Sequence, residues 1–258
     1  MRNVIDPMAV TTSIRTLHSR RAARLLSRLR KRFDLTTELI PVGPLRILFT
    51  RVTDPKLVLN DLCDKIDAYE RQTGQRVRGD ELGLPYWAEI WDSSLGVGQW
   101  LIEHHRTQDL RLCRVLDLGC GMGLAGTVAA VLGAQVTFGD IERDALGFAA
   151  LNGLRYSPHI QTRRMDWQTD DLRTTFDLIL GADVLYEKSQ WESLDRFVKN
   201  HLVPRGLVLF GEPGRITGQM WQQWIRDRGW ELTQTYQHLP ARTSPIRLFM
   251  LNRCLKKT

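Results

Sequence analysis

Residues 115–123 read VLDLGCGMG, and the other predictions build on this stretch. Its apolar start is typical of a buried strand, which runs directly into a loop containing Gly119, Cys120, Gly121 and Gly123. Glycines between a strand and a helix let the backbone come close to a ligand, because no Cβ intervenes and positive φ costs little. The pattern therefore predicts that these loop residues bind a nucleoside cofactor.

The acid in this stretch indicates which cofactor binds. Asp117 lies two residues before Gly119, where a carboxylate would repel a pyrophosphate but suits the ammonium or positive sulfonium of S-adenosyl-L-methionine. Gly121, Gly123 and Gly126 also match the G-x-G-x-x-G pattern of NAD- and FAD-binding chains, but that match alone is weak. We therefore predict a methyl-donor site rather than a dinucleotide site, with Asp117 as a cofactor contact.

Further predicted strands end in acids. Residues 135–139 precede Asp140, which is placed to accept hydrogen bonds from ribose hydroxyls, although NAD-binding chains place an acid similarly. Residues 160–165 precede Asp166 and Trp167. An acid that accepts from an adenine amino group, followed by a ring that stacks on the base, is expected of an adenine site.

Another strand is predicted over residues 176–182, and it places Ala182, Asp183 and Tyr186 at the same edge. In open parallel sheets, ligands bind at the carboxyl ends of the strands. We therefore expect one crevice, in which Ala182 contacts the cofactor and Asp183 and Tyr186 are the catalytic residues.

Strands and helices alternate over the second half of the chain, and crossovers of this length imply parallel strands. The final stretches lack a helix between them and are expected to pair antiparallel. The predicted fold is α/β, with a Rossmann-like, mostly parallel sheet of seven strands that ends in a C-terminal antiparallel hairpin. Besides those named above, the predicted strands are 113–118, 207–211, 230–238 and 246–254, and the helices are 124–132, 143–153, 190–202 (closed by Pro204 and Gly206) and 216–229.

The first third of the chain is expected to extend this body. Alternating apolar residues and a Pro/Gly turn predict a hairpin, which a helix and a loop follow. These elements are expected at 35–40, 45–52, 54–71 and 79–84. The predicted domains are a basic helical tail at 1–33, a hairpin-and-helix extension at 34–84, and the cofactor domain at 85–258.

Residues 85–91 read PYWAEIW, an unusual density of aromatic rings next to a cofactor loop. Trp87 and Trp91 are candidate cofactor contacts, because a sulfonium and an amine nucleophile are both attracted to aromatic faces. Buried packing explains one or two of these rings equally well. Both interpretations stand at this stage.

The tail concentrates the positive charge of the chain. Residues 1–33 hold nine Lys and Arg against one acid, a local charge of +8, so that the other 225 residues carry 7 − 8 = −1. Apolar residues at helical spacing predict a helix over 18–33. An acidic protein partner, nucleic acid and organelle targeting all suit an arginine-rich helix. A solvated helix docked on the body is the alternative.

Composition excludes other classes. The 258 residues are 43% hydrophobic and 25% charged, as in soluble globular chains, and no apolar run approaches the roughly 18 residues that span a bilayer. The N-terminal residues lack the basic start followed by an apolar core that is typical of a secretion signal. We therefore expect the protein in the cytoplasm, or in mitochondria if the tail is a targeting segment. The four cysteines and His104-His105 lack metal-ligand spacing, so no metal is predicted. No feature indicates an oligomeric state.

Residues 85–253 resemble a class I S-adenosylmethionine-dependent methyltransferase. VLDLGCGMG resembles the family's cofactor loop, Asp140 its ribose acid and Asp166-Trp167 its adenine contact. More narrowly, PYWAEIW and DVLYE resemble the seven-β-strand protein-lysine methyltransferases, whose signature after the fourth core strand is D-x-x-Y. The turn EPGR at 212–215 is similar to that of the branch that modifies the electron-transfer flavoprotein β-subunit, although Glu212 replaces the expected aspartate.

The resemblance implies a protein substrate and methylation of a lysine amine. We hypothesise that Asp183 accepts a hydrogen bond from the amine, that Tyr186 borders its slot, and that Trp87 or Trp91 packs against the methionine end of the cofactor. The rivals are a nicotinamide-like small-molecule N-methyltransferase, a nucleic-acid methyltransferase, and a non-catalytic cofactor-binding module. Nucleic acid is suggested by the tail but not favoured, because the N-P-P-Y signature of base-amino methylators is absent.

Overall fold

A computed structural model describes residues 20–77 and 83–254 of the chain. The start of the predicted tail helix and most of the predicted 79–84 loop lie outside these ranges. The described helices are α1 (Arg20–Arg30), α2 (Pro55–Thr73), α3 (Asp92–His105), α4 (Leu124–Val131), α5 (Arg143–Gly153), α6 (Trp191–His201) and α7 (Ile216–Ile225). The strands are β1 (Leu35–Val42), β2 (Leu45–Val52), β3 (Arg114–Leu118), β4 (Gln135–Asp140), β5 (Gln161–Arg164), β6 (Phe176–Ala182), β7 (Leu202–Glu212), β8 (Trp230–Gln237) and β9 (Ile246–Arg253).

The body is a sheet of seven described strands in the order β5-β4-β3-β6-β7-β9-β8. The strands β3 to β7 pair parallel, whereas β9 pairs antiparallel with both β7 and β8. The predicted α/β fold, with a Rossmann-like sheet and a C-terminal antiparallel hairpin, is confirmed. Because β3, β4 and β6 are neighbours, their carboxyl ends meet at one edge.

Alternate residues of the strands enter two apolar clusters, as expected when successive side chains point to opposite faces of a sheet. Val115 and Leu178 belong to the cluster that includes residues of α3, α4 and α5. Leu116 and Ile179 belong to the cluster that includes residues of α6 and α7. Helices therefore cover both faces, which explains why apolar residues of β3 and β6 are buried on both sides of the sheet.

Two glycines let α3 approach its neighbours closely. A Cβ at Gly96 would lie 2.7 Å from Ile246 Cγ2, and a Cβ at Gly98 would lie 2.9 Å from Val42 Cγ1. Larger residues at these positions would push the helix off both β9 and β1. The helix begins at Asp92 and runs through both glycines.

The predicted boundary between helix 190–202 and strand 207–211 is wrong. The helix ends at His201, and β7 begins directly at Leu202. The register against β6 jumps from the pair Phe176–Leu202 to the pair Leu178–Leu207, so residues 203–206 form a bulge. A proline is tolerated in a bulge, because no neighbouring strand requires its missing N–H there.

The tail helix docks on the body. Ala22 and Leu29 are buried, and Leu29 Cδ2 lies 3.3 Å from the position that a Cβ on Gly147 would occupy. Arg32 pairs with Asp144 of α5. Within residues 20–33, the helix is therefore docked on the body.

Helix α2 has defined ends but little packing. Asp54 caps its first turn, with Oδ1 accepting from Lys56 N at 2.9 Å, and Gly74 ends it in the left-handed region at φ +68°. No residue of the helix is buried. No described helix is long and apolar enough to cross a membrane.

A buried amide ties the β1–β2 hairpin to the body. Asn152 Oδ1 accepts from Thr50 N at 2.8 Å, while Nδ2 donates to Thr50 O at 3.0 Å and to Met122 O at 3.2 Å. Arg155 also reaches β2, donating to Thr50 Oγ1 at 2.6 Å. Since Met122 belongs to the glycine loop, one side chain connects the hairpin to that loop.

We expect Asn152→Ala to lower the free energy of unfolding by about 2–4 kcal/mol, because buried backbone groups of Thr50 and Met122 lose their partners. Urea denaturation followed by circular dichroism measures this loss. The control is Asn60→Ala on the exposed face of α2, where a change within about 0.5 kcal/mol is expected. Equal effects of the two substitutions would contradict a structural role for the Asn152 amide.

Candidate active site

A cavity of about 720 Å³ lies at the edge where β3, β4 and β6 end. Its volume is in the range of small-molecule and cofactor sites. The structure brings most of the sequence-predicted site residues to this cavity: Trp87, Trp91, Gly119, Cys120, Gly121, Gly123, Asp140, Trp167, Ala182, Asp183 and Tyr186 all line it. Asp117 and Asp166 are not among the lining residues.

The glycine loop between β3 and α4 has the backbone that its composition predicts. Gly119, Gly121 and Gly123 have φ of +62°, +52° and +82°, in the left-handed region that favours glycine. A Cβ at Gly119 would lie 3.0 Å from Val184 Cγ1, and one at Gly123 would lie 2.7 Å from Ala149 Cβ. The loop can therefore present its backbone to a ligand only as glycine.

Asp117 stabilises the backbone that follows this loop through a hydrogen bond. Its side chain is buried, and Oδ2 accepts a hydrogen bond from Gly126 N at 2.8 Å, in the first turn of α4. Burial raises the pKa of Asp117 to about 7, against the opposing effect of the Gly126 hydrogen bond. The structure therefore places the Asp117 carboxylate against the protein backbone, and the contact between Asp117 and the cofactor stays a prediction.

Asp140 lies on the cavity wall at the end of β4. Its Oδ2 accepts from Gly121 N at 2.8 Å and its Oδ1 from Glu142 N at 2.9 Å. Burial raises the pKa of this carboxyl, and the two backbone hydrogen bonds oppose that rise. Each carboxylate oxygen keeps a further lone pair for a hydroxyl. The geometry is compatible with the predicted ribose contact.

Asp166 and Trp167 separate in the structure. Asp166 Oδ1 accepts from Gln168 N at 2.8 Å, so this carboxylate stabilises the turn after β5. Trp167 lines the cavity, and its Nε1 is buried with no hydrogen-bond partner among the described residues. An unpaired buried donor is costly unless a ligand or water accepts from it. Of the predicted adenine site, the ring lines the cavity, whereas the acid is not among the lining residues.

The aromatic rings of residues 86–91 line the cavity, and Trp87 also packs against other rings of the body. Trp87 packs with its ring centroid 5.6 Å from Phe33 and 5.8 Å from Phe148, although it also lines the cavity. The centroid of Tyr86 lies 6.2 Å from that of Trp91 and 6.0 Å from that of Tyr186, edge to face. We call Trp91, Tyr86 and Tyr186 the aromatic row. Half of the Tyr86 surface is exposed, so the row reaches the mouth of the cavity.

Asp183 sits at the end of β6 with an unusual backbone. Its φ is +61°, which asparagine and aspartate tolerate better than other non-glycine residues, and its N donates to Gly211 O at 2.8 Å. Its side chain is buried, and Oδ1 accepts from Arg215 Nη1. Burial raises the pKa of Asp183, and the Arg215 charge opposes this. Burial also raises the pKa of Tyr186.

Sequence reasoning missed Arg215 as a site residue. It was noticed only as the last residue of the EPGR turn, and no sequence signal shows that its guanidinium lies 5.8 Å from the centroid of Trp91 and pairs with Asp183. Two acids of the cavity lining were missed as well, Glu89 and Glu142, whereas Glu187 lies at the cavity as the polar end of the DVLYE stretch predicts. Glu89 and Glu142 each lie within two residues of a predicted motif, so proximity to the motifs was the available signal.

The lining residues fit an adenosyl sulfonium. Trp167 offers a ring and an unpaired N–H, Asp140 offers acceptors for hydroxyls, and the loop around Gly119 and Gly121 allows close approach of the backbone. Among the described residues, no group of three or more His, Cys, Asp or Glu side chains is arranged to hold a metal ion. His104 instead stacks on a tryptophan of its own helix, with the ring centroids 4.2 Å apart.

Comparison with known proteins identifies a family. A family model described as "Lysine methyltransferase" matches residues 79–218. The chain is 37% identical over 128 residues to the mouse protein N-lysine methyltransferase METTL21A, covering 46% of this chain and 57% of that protein. It is 31% identical over 137 residues to the zebrafish electron transfer flavoprotein beta subunit lysine methyltransferase, covering 51% of each. The chain thus matches little more than half the length of these relatives.

A solved structure supports the fold alone. The ribosomal protein methylase from Lactobacillus delbrueckii superimposes with a TM-score of 0.51 at 19% identity, covering 64% of this chain and 80% of that one. The family match supports S-adenosyl-L-methionine as the cofactor of the cavity.

The raised pKa of Asp117 makes stability depend on pH. The unfolded state loses this proton near the ordinary pKa of 3.8, whereas the folded state keeps it to about 7. The free energy of unfolding therefore falls as pH rises through that window. Asp117→Asn keeps an acceptor for Gly126 N but does not titrate. Its stability relative to the wild type should rise by on the order of 2–4 kcal/mol between pH 4 and pH 7.

Urea titrations of the wild type and of Asp117→Asn at several pH values measure this difference. A gap that does not change with pH would mean that Asp117 titrates normally. Calorimetry with S-adenosyl-L-methionine on the same variant tests the predicted cofactor contact, because the structure gives Asp117 no place on the cavity wall. Affinity should change less than about tenfold.

Proposed function

The chain belongs to the lysine methyltransferase family, and on this premise we propose that it transfers a methyl group from S-adenosyl-L-methionine to a lysine side chain of a protein. When bound, that cofactor supplies a methyl carbon on a sulfonium; the lone pair of the acceptor nitrogen forms the new bond while the C–S bond breaks and its electron pair stays on sulfur. The observation that carries the proposal is the buried Asp183 carboxylate beside an aromatic row that reaches the surface.

The residues of the chain mainly bind, orient and exclude water. Trp167, Asp140 and the glycine loop would hold the adenosyl part. Asp183 would accept a hydrogen bond from the acceptor nitrogen and fix its direction, and Tyr186 would border the slot. The acceptor must shed a proton to water first, because a lysine amine has a reference pKa of about 10.4 and only its neutral form attacks.

The shape of the site supports a protein acceptor over a free small molecule. Tyr86 and Tyr186 are about half exposed, so the slot opens at the surface, where a side chain of a folded partner can enter. Glu89 and Glu187 at the same cavity add negative charge, which suits a lysine-bearing segment. These features do not favour nucleic acid, whose phosphates would be repelled.

Incubating the protein with methyl-labelled cofactor and a cell extract tests the proposal. We expect label on a lysine of a single extract protein, located by mass spectrometry. Label in nuclease-sensitive material, or on added nicotinamide without any extract protein, would replace it with one of the rival acceptors. Cofactor binding without any transfer would indicate a non-catalytic module.

We expect Asp183→Asn to reduce transfer by about 100-fold or more, as is typical when a positioned group at the reacting centre is lost. Asparagine tolerates the positive φ at this position, whereas alanine would add strain. Calorimetric affinity for S-adenosyl-L-methionine should stay within about threefold of the wild type. Asp227→Asn, exposed and outside the cavity lining, is the control. Full activity of Asp183→Asn would remove the role.

For the compartment we propose the cytoplasm. Residues of α1 are buried against the body, so removing the segment as a cleaved targeting peptide would uncover the apolar surface of α5. This supports α1 as part of the working protein. Residues 1–33 fused to a fluorescent protein should remain diffuse in cells, and accumulation in mitochondria would contradict the proposal.

A further inference from the structure

The carboxylate at the proposed acceptor site already has a cationic partner. Asp183 Oδ1 accepts from Arg215 Nη1, and Asp183 Oδ2 has no hydrogen-bond partner among the residues that the structure describes. Both side chains line the cavity. An incoming amine therefore meets an ion pair with one free oxygen, not an isolated carboxylate.

The chain fixes Arg215 from several sides. The buried Glu212 accepts from Gly214 N at 2.9 Å and from Arg215 N, so it holds the turn after β7. The guanidinium carbon lies 5.8 Å from the ring centroid of Trp91, within the range of a cation–π contact. The arginine is 37% exposed but directed by the turn, the ring and Asp183.

We infer that Arg215 controls the protonation state of the acceptor amine: its positive charge cancels the field of Asp183, so that Asp183 orients the amine without holding it as ammonium. This inference rests on the proposed lysine methylation. An unpaired carboxylate within a few ångströms stabilises an ammonium and raises its pKa by about 1–3 units. Such a shift would oppose catalysis, because the ammonium has no lone pair for attack.

Two further ion pairs lie near the Asp183–Arg215 pair. Arg242 Nη1 pairs with Asp92 Oδ2 at 2.7 Å, and its positive charge also favours the ionised form of Asp183. Arg247 Nε lies 3.5 Å from Glu212 Oε2. Together with the Asp183–Arg215 pair, these ion pairs contain three carboxylates and three guanidinium groups: Asp183, Glu212 and Asp92, and Arg215, Arg247 and Arg242. Tyr186 lies near Asp183 and also near the carboxylates of Asp140 and Glu187. Neutralising Arg215 alone leaves the three ion pairs with a net charge of 3 − 2 = one negative charge, to which the Asp140 and Glu187 carboxylates add.

The test is the pH dependence of transfer. Arg215→Gln removes the charge but keeps hydrogen-bond donors, and its backbone contact with Glu212 does not depend on the side chain. We expect the alkaline rise of kcat to move up by about one pH unit, which lowers kcat about tenfold at neutral pH and restores it as pH rises. KM for the acceptor should stay equal or fall, because Asp183 then attracts the ammonium more strongly.

The probe is heat-inactivated cell-extract protein with saturating labelled cofactor, and label incorporated into lysine is counted. Arg215→Lys, which keeps the positive charge, should return the pH profile to that of the wild type. Arg228→Gln, which removes a half-buried arginine stacked on Trp224 and outside the cavity lining, is the matched control and should leave the profile unchanged. Arg215→Met serves as a second neutral variant if Arg215→Gln does not fold.

An active neutral variant with an unshifted profile would overturn the inference, as would an Arg215→Lys profile that moves with the neutral variants. Failure of the proposed function is distinguishable, because the wild type would then place no label on lysine at any pH. Calorimetric binding of S-adenosyl-L-methionine to the neutral variants should match the wild type, and its loss would show that Arg215 acts on the cofactor instead.

Discussion

The hydrogen bond from Gly126 N to the buried carboxylate of Asp117 fixes how the chain passes from β3 into α4. Above it, glycines at positive φ turn back towards the end of β4, where Asp140 accepts from Gly121 N. The loop glycines adopt positive φ, which side-chain-bearing residues rarely do, and a Cβ at Gly126 would lie 2.8 Å from Asp117 Oδ2. The cavity therefore depends on a backbone conformation, and the carboxylates serve first to stabilise that conformation and only then to meet a ligand.

The site also pairs its buried carboxylate with a positively charged side chain. Asp183 is buried, and burial of a lone carboxylate is expensive. Arg215 offsets that cost and is itself delivered by a turn that Glu212 holds. Glu212, which replaces the aspartate expected from the family pattern, thus holds the turn that positions Arg215.

The sequence predicted architecture better than side-chain direction. The bounds of β6 and α5 agree with prediction, because apolar periodicity and flanking acids or glycines mark both ends. The start of β7 was misplaced, since Pro204 lies in a bulge. Asp117 and Asp166 were assigned to a ligand, yet both accept from nearby backbone N–H groups. Such local hydrogen bonds depend on backbone geometry that the spacing of residues in the sequence does not reveal. The same is true of the ion pair between Arg215 and Asp183.

The central claim is that the glycine loop, Asp140 and Trp167 form a pocket for an adenosyl sulfonium. Isothermal titration of the full chain tests it most directly. We expect saturable heat with S-adenosyl-L-methionine, displacement by S-adenosylhomocysteine, loss of affinity in Trp167→Ala, and no heat with NAD. Tight binding of NAD with no response to S-adenosyl-L-methionine would contradict it.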